Sequence, residues 1–169
     1  GEQRALTWED IDFEMSEVSV RRSAKLKVVV DGEVQQHGVG LVKTSTSNRI
    51  VPIPANIIKE LKELYIKQGR PAKTNFVFGT KYNTMVGRTW WREQLQKVVK
   101  KISNKTLRWH DLRHYYASKM LEYFGDDIWT VSNLMGHSDI KITQNVYGHW
   151  MQDLARKQKL QQQIANINF

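Results

Sequence analysis

The stretch Lys105–His149, KTLRWHDLRHYYASKMLEYFGDDIWTVSNLMGHSDIKITQNVYGH, decides how the chain is read. It holds four of the five histidines. It also sets Arg113 one helical turn from His110, and Tyr147 beyond Gly136-His137. Apolar spacing predicts a helix over residues 110–124, with Leu112, Tyr116 and Met120 as its core stripe. At about 100° per residue, His110, Arg113, His114 and Ala117 fall on the other side, with His110 and Arg113 as neighbours at i and i+3. Gly125 is expected to end this helix. Asp126 or Asp127 is expected to cap the next, which runs through Met135. Gly136 then stops the chain and leaves His137 on the joint, and Ser138 or Asp139 caps a further helix through Val146.

Taken singly, these side chains have ordinary explanations. A tyrosine is most often a core ring with a satisfied hydroxyl, a histidine at a helix start a cap or surface group, an arginine a solvated charge. Together they supply what phosphoryl transfer needs. Fixed cations must hold the non-bridging oxygens, a nucleophile must lie in line, and a proton donor must reach the leaving oxygen. Arg113 offers a planar fork to phosphate oxygens. His110 and His137 donate hydrogen bonds or move protons near neutral pH. Tyr147 offers a hydroxyl whose phenolate a cationic pocket would stabilise.

The charge distribution points the same way. The 169 residues carry a net charge of +9 and no cysteine. Disulfides and thiolate metal sites are therefore excluded. One domain spanning 1–169 is the default for this length, with 151–169 as a polar helical tail striped by Leu154, Leu160 and Ile164. No apolar run approaches the roughly 20 residues of a membrane span, and GEQRALTWED is no signal peptide. A cytoplasmic protein without a membrane partner is expected. Gly1 to Glu17 is acidic, whereas Lys97 to Lys119 holds Lys97, Lys100, Lys101, Lys105, Arg108, Arg113 and Lys119 against Asp111 alone. Such a one-sided field suits a polyanion, with nucleic acid first. Lys105, Arg108 and, upstream, Arg88 are the candidate DNA-binding cations.

The remaining segments predict a mixed fold of the α+β class, mainly helical, with helices packed on a small antiparallel sheet. Leu6, Trp8, Ile11 and Phe13 bury a short connection after the end of a helix at residues 1–8. Residues 17–22, 25–30 and 33–43 read as strands, the last two joined by the Asp31-Gly32 turn. After the polar TSTSN, RIVPIP reads as one more strand, stopped by Pro52 and Pro54. A sheet of about three strands is expected. Residues 55–68 form a helix burying Ile57, Ile58, Leu61, Leu64 and Tyr65. FVFG at 76–79 is a buried segment, and residues 88–102 form a helix with Trp91, Leu95, Val98 and Ile102 on its apolar side.

In order and spacing, His110-Asp-Leu-Arg113-His114, Leu134-Met-Gly136-His137-Ser and Tyr147-Gly-His149 resemble the tyrosine recombinases, and among them the phage-type integrases. Leu6-Thr-Trp8-Glu-Asp10-Ile-Asp12 and Lys43-Thr-Ser-Thr-Ser-Asn-Arg49-Ile-Val-Pro52 extend the resemblance upstream. It implies the family's catalytic fold and site-specific recombination of a phage or mobile element, by integration or excision. Tyr147 would form a 3′-phosphotyrosine link with DNA. Arg113 would be one of two arginines on the scissile phosphate, His110 and His137 would assist by hydrogen bonding and proton handling, and Lys43 would protonate the leaving 5′-oxygen. No metal or other cofactor is implied. The partners would be a double-stranded recombination site and, in a tetrameric synapse, further copies of a protein that is monomeric when free.

Two departures accompany the resemblance. The spacing from His137 to Tyr147 is one residue longer than the family's usual one, so slack must be absorbed near Lys141-Ile142 or the tyrosine is rotated. Gly1-Glu2 matches a pair that follows the family's first catalytic arginine, which places that arginine just before Gly1, with Arg4 on the wrong side of the match. The helical DNA-clamping domain of the family is also absent from the chain. Impaired chemistry is expected of the chain as it stands. Two competing readings are a non-catalytic DNA-binding module of the same fold and a metal enzyme using His110 and His114 at i, i+4 with His137. Against the second, Asp111 stands where a glutamate base would be needed, and Arg113 would oppose a dication.

The basic run generates a first prediction. Duplex binding should weaken steeply with salt, and replacing Lys105 and Arg108 together should flatten the slope of log K against log salt by about 0.9 per phosphate contact removed. An unchanged slope in a titration of the double variant removes both residues from the DNA surface.

Overall fold

The computed structural model describes residues 1–30, 32–42, 45–124, 127–148, 156, 160 and 163. The N-terminal half is organised around Trp8, whose buried indole donates to Gln68 Oε1 at 3.2 Å and meets the Tyr65 ring edge-on at 5.0 Å. Gln3–Ala5 and Trp8–Asp10 are single 3-10 turns, so the stretch before Trp8 is not the end of an α-helix. In the second turn Thr7 and Asp10 satisfy each other as a capping box.

Five strands follow: β1 (Ile11–Asp12), β2 (Glu17–Val20), β3 (Arg22–Val30), β4 (Glu33–Leu41) and β5 (Arg49–Pro52). β1, β2 and β5 form an antiparallel sheet with β2 central, Val18 lying opposite both Ile11 and Val51. The pairing of β3 with β4 is a separate ribbon, from Arg22 opposite Leu41 to Val30 opposite Glu33. Gly32 in its turn has φ +82°, which costs glycine no Cβ clash. The expected sheet of about three strands is present as β1, β2 and β5, and the hairpin of β3 and β4 stands apart from it, with Leu26, Val29 and Val34 exposed.

Ile58, Leu61, Leu64 and Tyr65 of α1 (Ala55–Lys67) pack with Trp8, Ile11, Val18 and Val77 into the first core cluster. Ile57 faces solvent instead of joining them. In α2 (Arg88–Ile102) the buried residues are Leu95 and Val99. The expected pair Val98 and Ile102 is 58% and 78% exposed. The inward face is therefore turned by one residue, because Trp91 is fixed edge-on between Phe78 and Trp109 at 5.4 and 5.3 Å.

The second cluster joins α3 (Trp109–Phe124), α4 (Ile128–Met135) and α5 (residues 140–148). Its buried members are Ala117, Leu121, Val131, Met135 and Tyr147, flanked by Tyr116, Met120 and Ile128. Here α3 departs from its predicted stripe. Leu112 is 37% exposed, whereas Ala117, assigned to the polar side, is fully buried. The line Arg113, Ala117, Leu121 faces α4 and α5 because their polar groups bind the first turns of that face, as described below. Among the described residues no helix is long and apolar enough to cross a membrane. Asp31, Lys43, Gly125, Asp126, His149 and most of the tail, including Leu154 and Ile164, lie outside the described residues. Leu160 is helical and exposed.

The buried Asp10 carboxylate is the polar lock of the first cluster. It accepts from the Thr7 N–H at 3.0 Å, the Thr7 hydroxyl at 2.9 Å, and Arg22 and Arg21, each at 2.7 Å. Burial pushes its pKa up, but the bonds from the Thr7 backbone, Arg22, the Thr7 hydroxyl and Arg21 prevail and hold it below the usual carboxylate range. Its contribution to stability is therefore complete above the unfolded carboxyl's pKa, roughly 3.9, and is lost as pH falls through the lower folded value. Asp10→Ala should cost about 3 kcal/mol, the lower end for breaking a buried ion pair. Urea unfolding at constant m checks this, and the difference from wild type should shrink in strong acid.

Candidate functional site

The site is built on the end of α4. Asp127 starts that helix, accepting from the Thr130 N–H at 3.0 Å, and Gly136 ends it at φ +68°, ψ 34°. The His137 N–H turns back to Ser132 O at 3.0 Å, which fixes the joint carrying the imidazole. Two arginines cover the carbonyls left over. Arg49 Nε donates to Leu134 O at 2.9 Å, and Arg113 Nη2 donates to Met135 O. Cations suit this end of a helix because the macrodipole is negative there.

Arg49 makes further bonds. Its guanidinium grips Glu2 through both carboxylate oxygens at 3.1 and 3.0 Å and donates to Ser47 O at 3.1 Å. A Cβ on Gly136 would lie 2.8 Å from Arg49 Nη1. Neither Arg49 nor Glu2 stood out in the sequence except inside quoted motifs. Their pairing spans 47 residues and leaves no periodic trace.

α5 supplies the remaining groups. Asp139 Oδ1 accepts from the Lys141 N–H at 2.8 Å at its start. Thr143 and Tyr147 then share its buried face at i and i+4. The Thr143 hydroxyl is 2.8 Å from His137 Nδ1, and the Tyr147 hydroxyl is 2.8 Å from His114 Nδ1. The ten-residue span from His137 to Tyr147 is thus accommodated with the tyrosine only 5% exposed and turned toward α3. The His114 ring in turn meets the His110 ring edge-on at 4.6 Å. His114 was considered in the sequence only as a metal ligand, and nothing in the spacing linked it to Tyr147. Among the described residues no three His, Cys, Asp or Glu side chains gather as a metal site.

His110, Arg113, His137 and Tyr147 line one cleft, together with His114. Arg88 and Arg108 line it too, joined by Arg4, Lys25, Arg92 and Lys100. Lys105 does not line it but immediately precedes the lining residue Thr106. Arg108 also pairs with Asp111 at 2.9 Å on the surface. Arg4 Nε is bonded to Val86 O at 2.8 Å. Lys43, expected to complete the site, lies outside the described residues.

The electrostatics favour an incoming anion. Burial lowers the Arg113 pKa; Glu2 opposes this, the Arg49 charge adds to it, and Tyr147 opposes it. Among the described residues no ion pair holds Arg113. Burial, then Arg113 and Arg49, push His137 below its ordinary range, so it is neutral near pH 7. Burial raises the Tyr147 phenol, with Arg113 acting against the rise.

Residues 1–153 match the family described as Phage integrase family. A tyrosine recombinase XerC-like protein of Caldanaerobacter subterraneus subsp. tengcongensis is 37% identical over 88% of this chain and 41% of its own length. The ICEBs1 integrase of Bacillus subtilis strain 168 is 31% identical over 88% of this chain and 40% of its own. The chain thus spans about two-fifths of these relatives. Among solved structures, XerA recombinase superposes with a TM-score of 0.69 at 20% identity, covering 100% of this chain and 53% of that one. The Tn1549 transposon integrase bound to transposon right end DNA gives 0.68 at 22% identity, over 95% and 53%. These superpositions establish the fold.

The Gly136 joint yields a prediction. Gly136→Ala should cost more than about 1–2 kcal/mol, the penalty for a left-handed residue with a Cβ, because Arg49 must also move. Gly148→Ala, in a helix with nothing among the described residues within 4 Å of its new methyl, should be neutral or stabilising. Parallel urea melts compare the two, and equal costs would show that Arg49 does not constrain the joint.

Proposed function

The chain belongs to the phage integrase family, and from that premise we propose that it is the catalytic domain of a site-specific DNA recombinase. The observation that carries the reading is that Tyr147, Arg113, His110 and His137 line one cationic cleft. Tyr147 is the nucleophile. Its oxygen attacks the scissile phosphorus, forms a 3′-phosphotyrosine link and releases a 5′-hydroxyl. Arg113 holds the non-bridging oxygens and the charge that grows on them. His110 and His137 donate hydrogen bonds to the phosphate, and Lys43, by its position in the family's motif, protonates the leaving oxygen.

The link keeps one phosphoester for another, so rejoining needs no nucleotide. Integration or excision then depends on which strand end attacks the link. Arg88, Arg92, Lys100 and Arg108 track the duplex backbone along the cleft, with Lys105 at its margin. The substrate is a double-stranded recombination site, brought together with a second site in a tetrameric synapse of protomers that are monomeric when free. The related Tn1549 integrase is bound to transposon DNA, which supports a mobile element as the source of the substrate and the bacterial cytoplasm as the place of action.

The test uses the full-length protein containing this chain. Tyr147→Phe keeps the buried ring but deletes the attacking oxygen. It should abolish covalent linkage to nicked duplex while leaving affinity nearly unchanged, since affinity comes mainly from phosphate contacts. Denaturing electrophoresis detects the link, and its persistence in the variant overturns the assignment.

A further inference from the structure

We infer that His114 is the proton acceptor for Tyr147, a catalytic role carried by the 2.8 Å contact between its Nδ1 and the attacking hydroxyl. The inference rests on Tyr147 being the nucleophile and adds the group that takes its proton. An ordinary phenol is almost wholly protonated at neutral pH, and burial of Tyr147 strengthens that hold. A base within hydrogen-bond reach is therefore required.

The other candidates are occupied or badly placed. His137 Nδ1 is engaged by the Thr143 hydroxyl, and burial, then Arg113 and Arg49, act against its protonation. His110 contacts the His114 ring, not the tyrosine. A guanidinium such as Arg113 accepts no proton. Among the described residues, His114 is the one side chain hydrogen-bonded to the Tyr147 oxygen. The groups around it are His110, Asp111 and Arg113 from its own helix and Tyr147 from α5, with His137 lining the same cleft.

The step balances as follows. His114 begins neutral with Nδ1 unprotonated and its proton on Nε2. The Tyr147 O–H bond breaks and the proton passes to Nδ1, while the oxygen's electron pair forms the new O–P bond. The P–O5′ bond breaks, and its pair leaves with the 5′-oxygen, which takes a proton from a cationic donor such as the Lys43 ammonium. The imidazolium thus formed lies beside the phosphotyrosine and its charge. On rejoining, the 5′-hydroxyl gives its proton back to the now neutral donor as its oxygen bonds to phosphorus, the Tyr147 O–P bond breaks, and His114 returns its proton to the tyrosine oxygen.

The experiment uses the full-length protein and a pool of nicked duplexes of randomised sequence, made with either oxygen or sulfur at the bridging 5′ position. A thiolate leaves without protonation, so sulfur rescues a lost acid but not a lost base. His114→Gln keeps a polar partner for the phenol but cannot accept its proton. It should bind the pool as wild type does and link about 10²–10⁴-fold more slowly on both substrates. Added imidazole should restore part of the linkage lost in His114→Ala. Wild-type linkage by His114→Gln overturns the role, as does recovery on the sulfur substrate, which would make His114 an acid. Loss of binding parallel to linkage also overturns it, since His114 would then be structural. Linkage by Tyr147→Phe in the same assay would instead remove the nucleophile reading on which the inference rests.

Discussion

The site depends on where the Arg49 guanidinium is buried. Its side chain is only 12% exposed, and its hydrogen bonds fasten the start of β5 and the adjoining Ser47 carbonyl to two segments remote in sequence, the end of α4 and, through Glu2, the N-terminal turn. An arginine suits this position because its planar fork donates in several directions while satisfying a carboxylate bidentately. A lysine would present a point charge and could not hold Leu134 and Glu2 with the same geometry. The requirement for glycine at Gly136 follows from the same packing, since the guanidinium occupies the space a Cβ would need.

Placing Arg113 beside this arrangement adds a second cation to one helix end. The α4 dipole and Glu2 offset part of the charge, yet the two guanidiniums still act on each other and on His137. Self-repulsion of this kind destabilises the empty site and is relieved when an anion enters. A phosphate diester has the needed charge and two non-bridging oxygens for the fork of Arg113. The same field favours tyrosinate over tyrosine, while burial of Tyr147 favours the protonated form. Because burial prevails, the hydroxyl stays protonated and within hydrogen-bond distance of His114 Nδ1.

Much of this was legible in the sequence where a single residue sets the backbone. Gly136 stopped α4 and exposed His137 on the joint, and Asp127 and Asp139 acted as helix-start acceptors. The motifs identified the family and brought His110, Arg113, His137 and Tyr147 forward together. What was not legible concerned faces and long-range pairs. The inward side of α3 was read from Leu112, Tyr116 and Met120, but its fully buried residues are Ala117 and Leu121. The face of α2 was set by an aromatic cluster linking three segments, which no periodicity within one helix reveals. Likewise, the contact between His114 and Tyr147 needed two helices packed at a given depth, so the spacing that identified the tyrosine could not name its partner.

The short turn Gln3–Ala5 connects these observations. On one side of it Glu2 holds Arg49 and hence the end of α4; within it Arg4 holds Val86 O, just ahead of α2. The turn also contacts β3, where the Gly1 carbonyl accepts from the Ala24 N–H at 3.1 Å. Glu2 and Arg4 thereby tie the end of α4, which leads into His137, to the segment just ahead of α2, which carries Arg88 and Arg92. Burial lowers the Arg4 pKa, and its repulsion by Arg88 adds to the effect, so here too the cleft carries uncompensated positive charge. A duplex backbone lying in the cleft would neutralise these charges at once. If the proposed function holds, binding of the polyanion and alignment of the reacting groups would be one event, because the charges that attract a phosphate backbone are also those that repel one another in the cleft.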